Sequence, residues 1–331
     1  MQYSTISFPV LDLSMNPGYK IDIGPLSFHY YGLIIALGLL LAIIYGLTRS
    51  KTFGLKQDDI LDGVLGIVPF AIICARAYYC IFSWDEYAAN PISVLYIWNG
   101  GLAIYGGVIG AVIGVLVYCK IKKLSIGAVL DVVALGFLIG QAIGRWGNFF
   151  NREAFGAETE FFMRMGLQNI YTGAVTYHHP TFLYESLWNV VGFVALHLLS
   201  YRRQYDGQIA LGYVAWYGLG RALIEGLRTD SLYWGSFRVS QMLAAISCLA
   251  AAVILMYQTF RTHDRENLFV YRRAAAEAAA AEAAAIAAEE AVEAGTAEEA
   301  VEEVAAEEST VEEAAAEETA EETPEETGTE E

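Results

Sequence analysis

Seven stretches of the chain, roughly 28–47, 60–82, 100–119, 126–145, 183–200, 208–225 and 239–258, are apolar for about as long as a helix must be to cross a bilayer. Backbone polar groups in hydrocarbon find no water, so a chain built this way must satisfy them within helices. The fold class that follows is an all-α polytopic membrane protein with about seven transmembrane helices. Charge sets its orientation. Arg49, Lys51 and Lys56 follow the first run, Lys120, Lys122 and Lys123 the third, Arg202 and Arg203 the fifth, and Arg261, Arg265, Arg272 and Arg273 the seventh. These are 12 of the 20 basic residues, and the side that carries the excess of Lys and Arg is the cytoplasmic one. The N-terminus is then outside and the C-terminus cytoplasmic.

The formal net charge of −18 suggests an acidic protein, but 21 of the 38 acidic residues lie between Glu277 and Glu331, where no Lys or Arg occurs. The other 17 acidic residues face 20 basic ones, so the body is close to neutral. Residues 259–331, Ala/Glu-rich after Arg273, read as a low-complexity cytoplasmic tail, disordered or partly helical, with no apolar face with which to build a core. Residues 1–27 lack the basic region and cleavage site of a signal peptide and are too polar to span. They are expected to remain as an extracytoplasmic segment lying along the interface. Residues 146–182 mix aromatics, Gly and charge without helical period, and are expected to form a small outer cap on the seven-helix body, 28–258. Cys74, Cys80, Cys119 and Cys248 all lie in apolar runs without a CxxC spacing, and read as small buried hydrophobes.

The eight remaining basic residues, Lys20, Arg76, Arg145, Arg152, Arg164, Arg221, Arg228 and Arg238, lie within runs or on the outer side, and seven of them are arginine. Topology does not require cations there. A bias to the planar fork is what recognition of phosphate or carboxylate produces. Arg164 and Arg238, and on even terms Arg76, can instead be read as side chains reaching for the interface. In the fourth run Gln141, Arg145 and Asn148 are spaced i, i+4, i+7 and share a sector of about 60°. In WYGLGRALIEGLR, Tyr217, Arg221, Glu225 and Arg228 share about 80°. Glu185, at the start of the fifth run, adds an acid near the same outer level.

Ionisable groups inside spans are costly and by default mark a functional path. The bland alternatives are that Arg145 only anchors the end of its helix and that Arg221 and Glu225 merely neutralise each other at i+4. Two arginines from different helices, with amides, tyrosines and carboxylates around them, suit the phosphate of a membrane lipid. Arginine stays protonated, so its roles are binding and stabilisation of charge rather than proton abstraction. No GxSxG, HExxH, acidic metal cluster or phosphate-cradling Gly loop occurs, and no metal or cofactor is expected.

The stretch GRWGNFFNREAFG, 144–156, resembles the signature of bacterial prolipoprotein diacylglyceryl transferases. HYYG (29–32), WNGGLAIYGG (98–107), HPTFLYE (179–185) and YGLGRALIEGLR (217–228) match the same family in order, so the resemblance spans residues 20–260. It implies an enzyme of the bacterial cytoplasmic membrane that transfers the diacylglyceryl group of phosphatidylglycerol to the lipobox cysteine of a prolipoprotein signal peptide. A thioether forms and glycerol phosphate leaves. The implied partners are that lipid, that peptide and surrounding membrane lipids, with no nucleic acid. By resemblance Arg145 and Arg221 match the essential arginines, with Glu153 and Tyr105 as further catalytic candidates. Tyr31, Asn148, Asn151, Gly156, Glu185, Tyr217, Glu225 and Arg228 are the implied substrate-binding residues. One position departs from the family: Tyr105 stands where many members carry a histidine proposed as base. A phenol with an unperturbed pKa of ~10 is a poor base at neutral pH, and Tyr105 is expected to be a supporting group. A transporter or channel for an anionic solute, with the arginines as a relay, is the alternative reading of the same residues.

Overall fold

The computed structural model describes residues 3–24, 26–229, 233–234 and 237–293. Its contacts divide the chain into two units, Met1–Arg272 and Arg273–Glu331. The first unit holds the helices α1 (Tyr30–Arg49), α2 (Gln57–Phe82), a single turn α3 (Trp84–Tyr87), α4 (Ile104–Lys122), α5 (Ile126–Asn151), α6 (Thr181–Ser200), α7 (Gln208–Ile224) and α8 (Val239–Thr259). Apart from α3, each helix overlies one of the seven expected runs. Six of these seven are long and apolar enough to cross a membrane, while α7, at 17 residues, falls at the short limit of ~17–25. Apolar side chains such as Leu65, Ile73 and Ile81 on α2 and Leu249, Val253 and Met256 on α8 are exposed, as lipid-facing surfaces must be.

The helix α5 is the centre of the bundle. It packs against α1, α6 and α7, whereas α4 packs mainly on α2, and α8 on α7. Leu135 and Leu138 of α5 are fully buried together with Phe53 and Ile209 in the main apolar core. One departure from the expected boundaries matters here. The fourth helix does not end at 145 but runs through Asn151, so Arg145 stands almost two turns inside it and is not a helix-end anchor. The signature amides Asn148 and Asn151 are therefore on the helix itself.

The N-terminal segment is joined to the cap by strand pairing. Strand β1 (Tyr3–Phe8) pairs with β2 (Leu13–Met15) on one side. On the other it pairs with a strand of 146–182, Met165–Asn169, which in turn pairs with Val175–His178. With β3 (Lys20–Ile23) and β4 (Leu26–His29) forming a hairpin in between, these two cap strands are β5 and β6. The sheet order is β2-β1-β5-β6, all antiparallel. The physical signal is the alternation around Ile6, whose side chain is fully buried with Leu167, Met165, Phe149 and Phe182 under the sheet. An all-α description thus holds for the membrane body, and the cap is a small sheet. A last strand pair, β7 (Tyr233–Trp234) with β8 (Phe237–Arg238), leads into α8.

The expected tail boundary at 258 also moves. Leu268 is buried and Phe269 packs on the main core, with its N–H donating to Asp206 Oδ2 at 3.0 Å, so the body continues to Arg272. A ninth helix, α9 (Phe269–Glu293), makes the start of the tail helical rather than disordered, in keeping with the partly helical reading. Alanine and glutamate are strong helix formers, which composition alone made visible. The rest of the tail, 294–331, lies outside the described residues.

Candidate active site

Glu185 sits in the second turn of α6, and three guanidinium groups converge on its buried carboxylate. Arg145 of α5 pairs with Oε2. Arg221 of α7 reaches Oε1 at 3.1 Å and Arg228, just beyond α7, reaches it at 3.4 Å. Arg221 also pairs with Glu225 at 2.6 Å, and Arg228 lies 3.9 Å from the same oxygen. Glu225 opens the short 3-10 turn Glu225–Leu227 that ends the seventh span. Three cations against two anions leave one surplus positive charge. Such a cluster is stable only with near-complete pairing, and the surplus suits it to one bound anion.

Two tryptophans hold α6 and α7 at the spacing this network requires. Trp188 Nε1 donates to Trp216 O at 3.0 Å and Trp216 Nε1 donates to Trp188 O at 2.9 Å, with the rings stacked 4.4 Å apart. Each ring lies over the other helix's glycine: a Cβ at Gly192 would overlap the Trp216 indole, and one at Gly220 the Trp188 indole. The sequence carried this device openly as WNVVG and WYGLG, a tryptophan four residues before a glycine on both helices. On the other flank Trp146 Nε1 donates to Ser186 Oγ at 3.2 Å, and Ser186 Oγ to Ala142 O at 2.8 Å. Each of these residues neighbours Arg145 or Glu185, or lies one turn away, so the bonds fix α5 against α6 at the level of that ion pair.

The signature segment closes over the cluster. Beyond α5 the chain passes through left-handed residues Arg152 and Ala154, at φ 54° and 56°, a conformation that costs a non-glycine residue free energy. Thr181 Oγ1 donates to Ala154 O and holds the turn. Gly156 N–H then donates to His179 O at 2.9 Å, and Ala157 N–H to Leu227 O at 2.7 Å. A Cβ at Gly156 would lie 2.7 Å from His179 Cβ and 2.9 Å from Leu227 O, so only glycine lets the segment lie between the ends of α6 and α7. Burial lowers the pKa of the neighbouring His179 from its usual value, which keeps that ring neutral at pH 7.

The remaining sequence candidates are placed as follows. Tyr217 stacks on Tyr213 at 5.6 Å, one turn from Arg221. Tyr31 packs its ring on the backbone at Gly147. Glu153 does not join the arginines: its Oε1 accepts from Asn148 Nδ2 at 2.9 Å and Asn151 Nδ2 at 3.2 Å, and among the described residues it forms no ion pair. Glu185, ranked below Glu153 by sequence, is the carboxylate that gathers the cluster, because the start of α6 and the middle of α5 meet only in the folded bundle. Tyr105 stands 44% exposed in the first turn of α4, with no side-chain hydrogen bond among the described residues.

The outer arginines outside the cluster divide. Arg76 is not a side chain reaching for the interface but is buried, donating to the backbone oxygens of Ser93, Val94, Tyr96, Gly100 and Gly101. Arg152 donates to Ser4 O, Phe150 O, Pro17 O and Asn16 Oδ1, clamping the N-terminal strand to α5. Arg238 donates to Glu225 O at 2.6 Å and so borders the site. Arg164 pairs with Glu160 at 3.1 Å and lies over the Tyr177 ring. Beside the cluster an apolar cleft of about 380 Å³ opens between α1, α5 and α6, lined by Ile34, Leu37, Ile143, Trp146, Phe150 and Val190.

A family model described as prolipoprotein diacylglyceryl transferase matches residues 19–257. Among curated relatives, the phosphatidylglycerol–prolipoprotein diacylglyceryl transferase of Listeria monocytogenes serotype 4b is 43% identical over 247 residues, covering 73% of this chain and 89% of the relative. The protein of the same name from Bacillus licheniformis is 44% identical over 260 residues, covering 76% and 95%, and that from Limosilactobacillus reuteri 44% over 242 residues, covering 70% and 88%. With its seven-helix body and its cluster of arginines and carboxylates inside the matched region, the chain belongs to the prolipoprotein diacylglyceryl transferase family.

Proposed function

We propose that this protein is an enzyme that transfers the diacylglyceryl group of phosphatidylglycerol to the cysteine thiol of a prolipoprotein. The observation that carries the chemistry is the surplus positive charge around Glu185, on side chains of three helical segments at one level of the bundle. The thiol sulfur attacks the glycerol carbon that bears the phosphate ester, the carbon–oxygen bond breaks, and its electron pair leaves on the phosphate of glycerol phosphate. A thioether forms and the thiol proton is released. Negative charge grows on the departing phosphate, and a forked cation already held in place offsets it without reorganising. Arg145 and Arg221 fill that role. Glu185 and Glu225 hold the forks at the proper angle, and their negative charge keeps the free site from being excessively cationic.

The same positive field favours thiolate over thiol in an incoming cysteine, whose unperturbed pKa is ~8.5, so no single strong base is required. Tyr105 is then a supporting group and not the base. Glu153 with Asn148 and Asn151 forms a polar wall, and Gly156, Tyr31 and Tyr217 shape the space around it. The apolar cleft beside Trp146 suits an acyl chain of a lipid that enters sideways from the bilayer. The enzyme lies in the cytoplasmic membrane with its N-terminus and cap outside and α9 inside, where signal peptides of secreted proteins emerge. The buried apolar core of Val132, Leu135, Leu138, Leu196 and Ile209 argues against a polar path through the bundle, and hence against transport of an anion.

The test is direct. Purified protein, phosphatidylglycerol and a peptide carrying a lipobox cysteine should yield a peptide heavier by one diacylglyceryl group, and no adduct with a cysteine-to-serine peptide. Absence of the adduct from folded protein overturns the reading. Labelling of a cysteine at residue 54 only from the cytoplasm, and at residue 160 only from outside, is the outcome the orientation requires.

A further inference from the structure

Asn189 lies one turn beyond Glu185 on α6, on the same face. It is 1% exposed, and no hydrogen-bond donor among the described residues reaches its Oδ1. A buried amide oxygen is rarely left without a partner. Asn189 lines a small cavity between α6 and α7, about 10 Å³ in volume, together with Glu185, Tyr217 and Arg221. That is room for about one water, and a stable buried water needs two to four polar partners. Among the lining residues such groups are available: the amide of Asn189, the carboxylate of Glu185, the phenol of Tyr217 and the guanidinium of Arg221, beside the apolar Trp188 and Ile224. Neither a phosphate nor a peptide thiol fits a space of this size.

We propose that Asn189 is a positioning residue that acts on Arg221 through one buried water. The water donates to Asn189 Oδ1 and accepts from the Arg221 guanidinium, with Tyr217 as its third neighbour. Glu185 and Glu225 hold Arg221 from one side, and the water holds it from the side facing the helix. The fork is thereby fixed against rotation at the moment charge develops on the leaving phosphate. An arginine free to turn would still bind an anion but would stabilise the transition state less. The inference rests on the transferase reading and adds to it a residue that the sequence comparison of motifs did not single out.

The experiment compares Asn189→Leu with Asn189→Ala in the full chain, measuring turnover of phosphatidylglycerol onto a lipobox peptide together with thermal unfolding. Leucine keeps the branched shape of asparagine, offers no acceptor, and is larger, so that its extra volume takes the water's place. Alanine leaves room for a second water to replace the amide. The expected result is a kcat about tenfold or more lower for the leucine variant, with KM for the lipid within about twofold, and an alanine variant within about threefold of the unsubstituted protein. Packing alone predicts lost thermal stability in both variants, by overpacking in leucine and by a cavity in alanine, with kcat of the folded protein alike in the two. A leucine variant as active as the alanine variant, or more active, overturns the proposal. A density map that resolves ordered waters decides it independently of any variant: a water within hydrogen-bond distance of Asn189 Oδ1 is expected, and a well-ordered cavity without one overturns it. An unsubstituted protein that forms no adduct would instead overturn the transferase reading.

Discussion

Arg76 in the α2–α4 region and Arg221 in the α5–α7 region are both largely buried cations on apolar helices, yet their hydrogen bonds go to different places. Arg76 donates to five backbone oxygens between Ser93 and Gly101 and so ties down the loop that leads into α4. Arg152 does the same for the cap, with three backbone oxygens and one amide. Arg221 and Arg145 donate to no backbone oxygen among the described residues and are held only by carboxylates. A guanidinium group saturated with carbonyls serves the fold, because its donors are used and its charge is spread over many dipoles. One held by carboxylates alone keeps the charge balance of its site adjustable by a ligand. Burial of an arginine therefore says little about function, and the identity of its acceptors says more.

The largest expected effect tests that difference head on. Lysine keeps the charge but not the fork, so Arg145→Lys and Arg221→Lys should each slow turnover of phosphatidylglycerol by about a hundredfold or more in protein that remains folded. Near-normal rates in both would place these arginines with Arg76. Next comes the spacing of α6 and α7. Gly220→Ala drives a methyl into the Trp188 indole and should part the helices at the level of the Arg221–Glu185 pair. Overpacking of this kind costs roughly 1–3 kcal/mol, and activity should fall on the order of tenfold; Trp188→Phe in the same chain, which makes room, should recover part of it.

Arg76→Lys should sharpen the comparison from the other side. A compact ammonium cannot serve five carbonyls, so thermal stability should drop by about 1–3 kcal/mol, while the turnover of the folded fraction stays within roughly threefold. A hundredfold loss of turnover at unchanged stability would erase the distinction between the two arginine classes. Smaller again is Tyr105→Phe, expected to leave stability unchanged and turnover within about threefold, because a phenol contributes little as a base at neutral pH; complete inactivity of the folded variant would make Tyr105 obligatory. The smallest effect is truncation after Arg272. The second unit begins at Arg273 and shares no residue with the site, so the truncated protein should match the full chain in specific activity.

Much of this molecule was legible in the linear chain because membrane helices and charged stripes are local patterns. Apolar runs of sufficient length placed the helices to within a few residues. The 3.6-residue period put Tyr217, Arg221, Glu225 and Arg228 on one face, and the match of five motifs named the family. The end of α5 was misplaced because polarity rises after Arg145, and composition cannot distinguish a helix leaving the bilayer from a helix that has ended. The strand character of residues 3–8 was present in the alternation around Ile6, but a six-residue strand is stable only when another strand pairs with it, and its partner β5 lies more than 150 residues away.

The sequence by itself determined the class of molecule, the rough number and position of its membrane helices, the basic side, and the two arginines proposed to carry the chemistry. Only the tertiary structure decided which carboxylate serves them. Glu153, eight residues from Arg145, turned to its own asparagines, and Glu185, forty residues away, became the centre of three ion pairs. The reason is geometric: helical periodicity tells which residues share a face of one helix, but the meeting of faces on different helices depends on rotation and depth. Those were set here by Trp188 and Trp216 locked over Gly220 and Gly192, by Trp146 on Ser186, and by Gly156 wedged between the ends of α6 and α7.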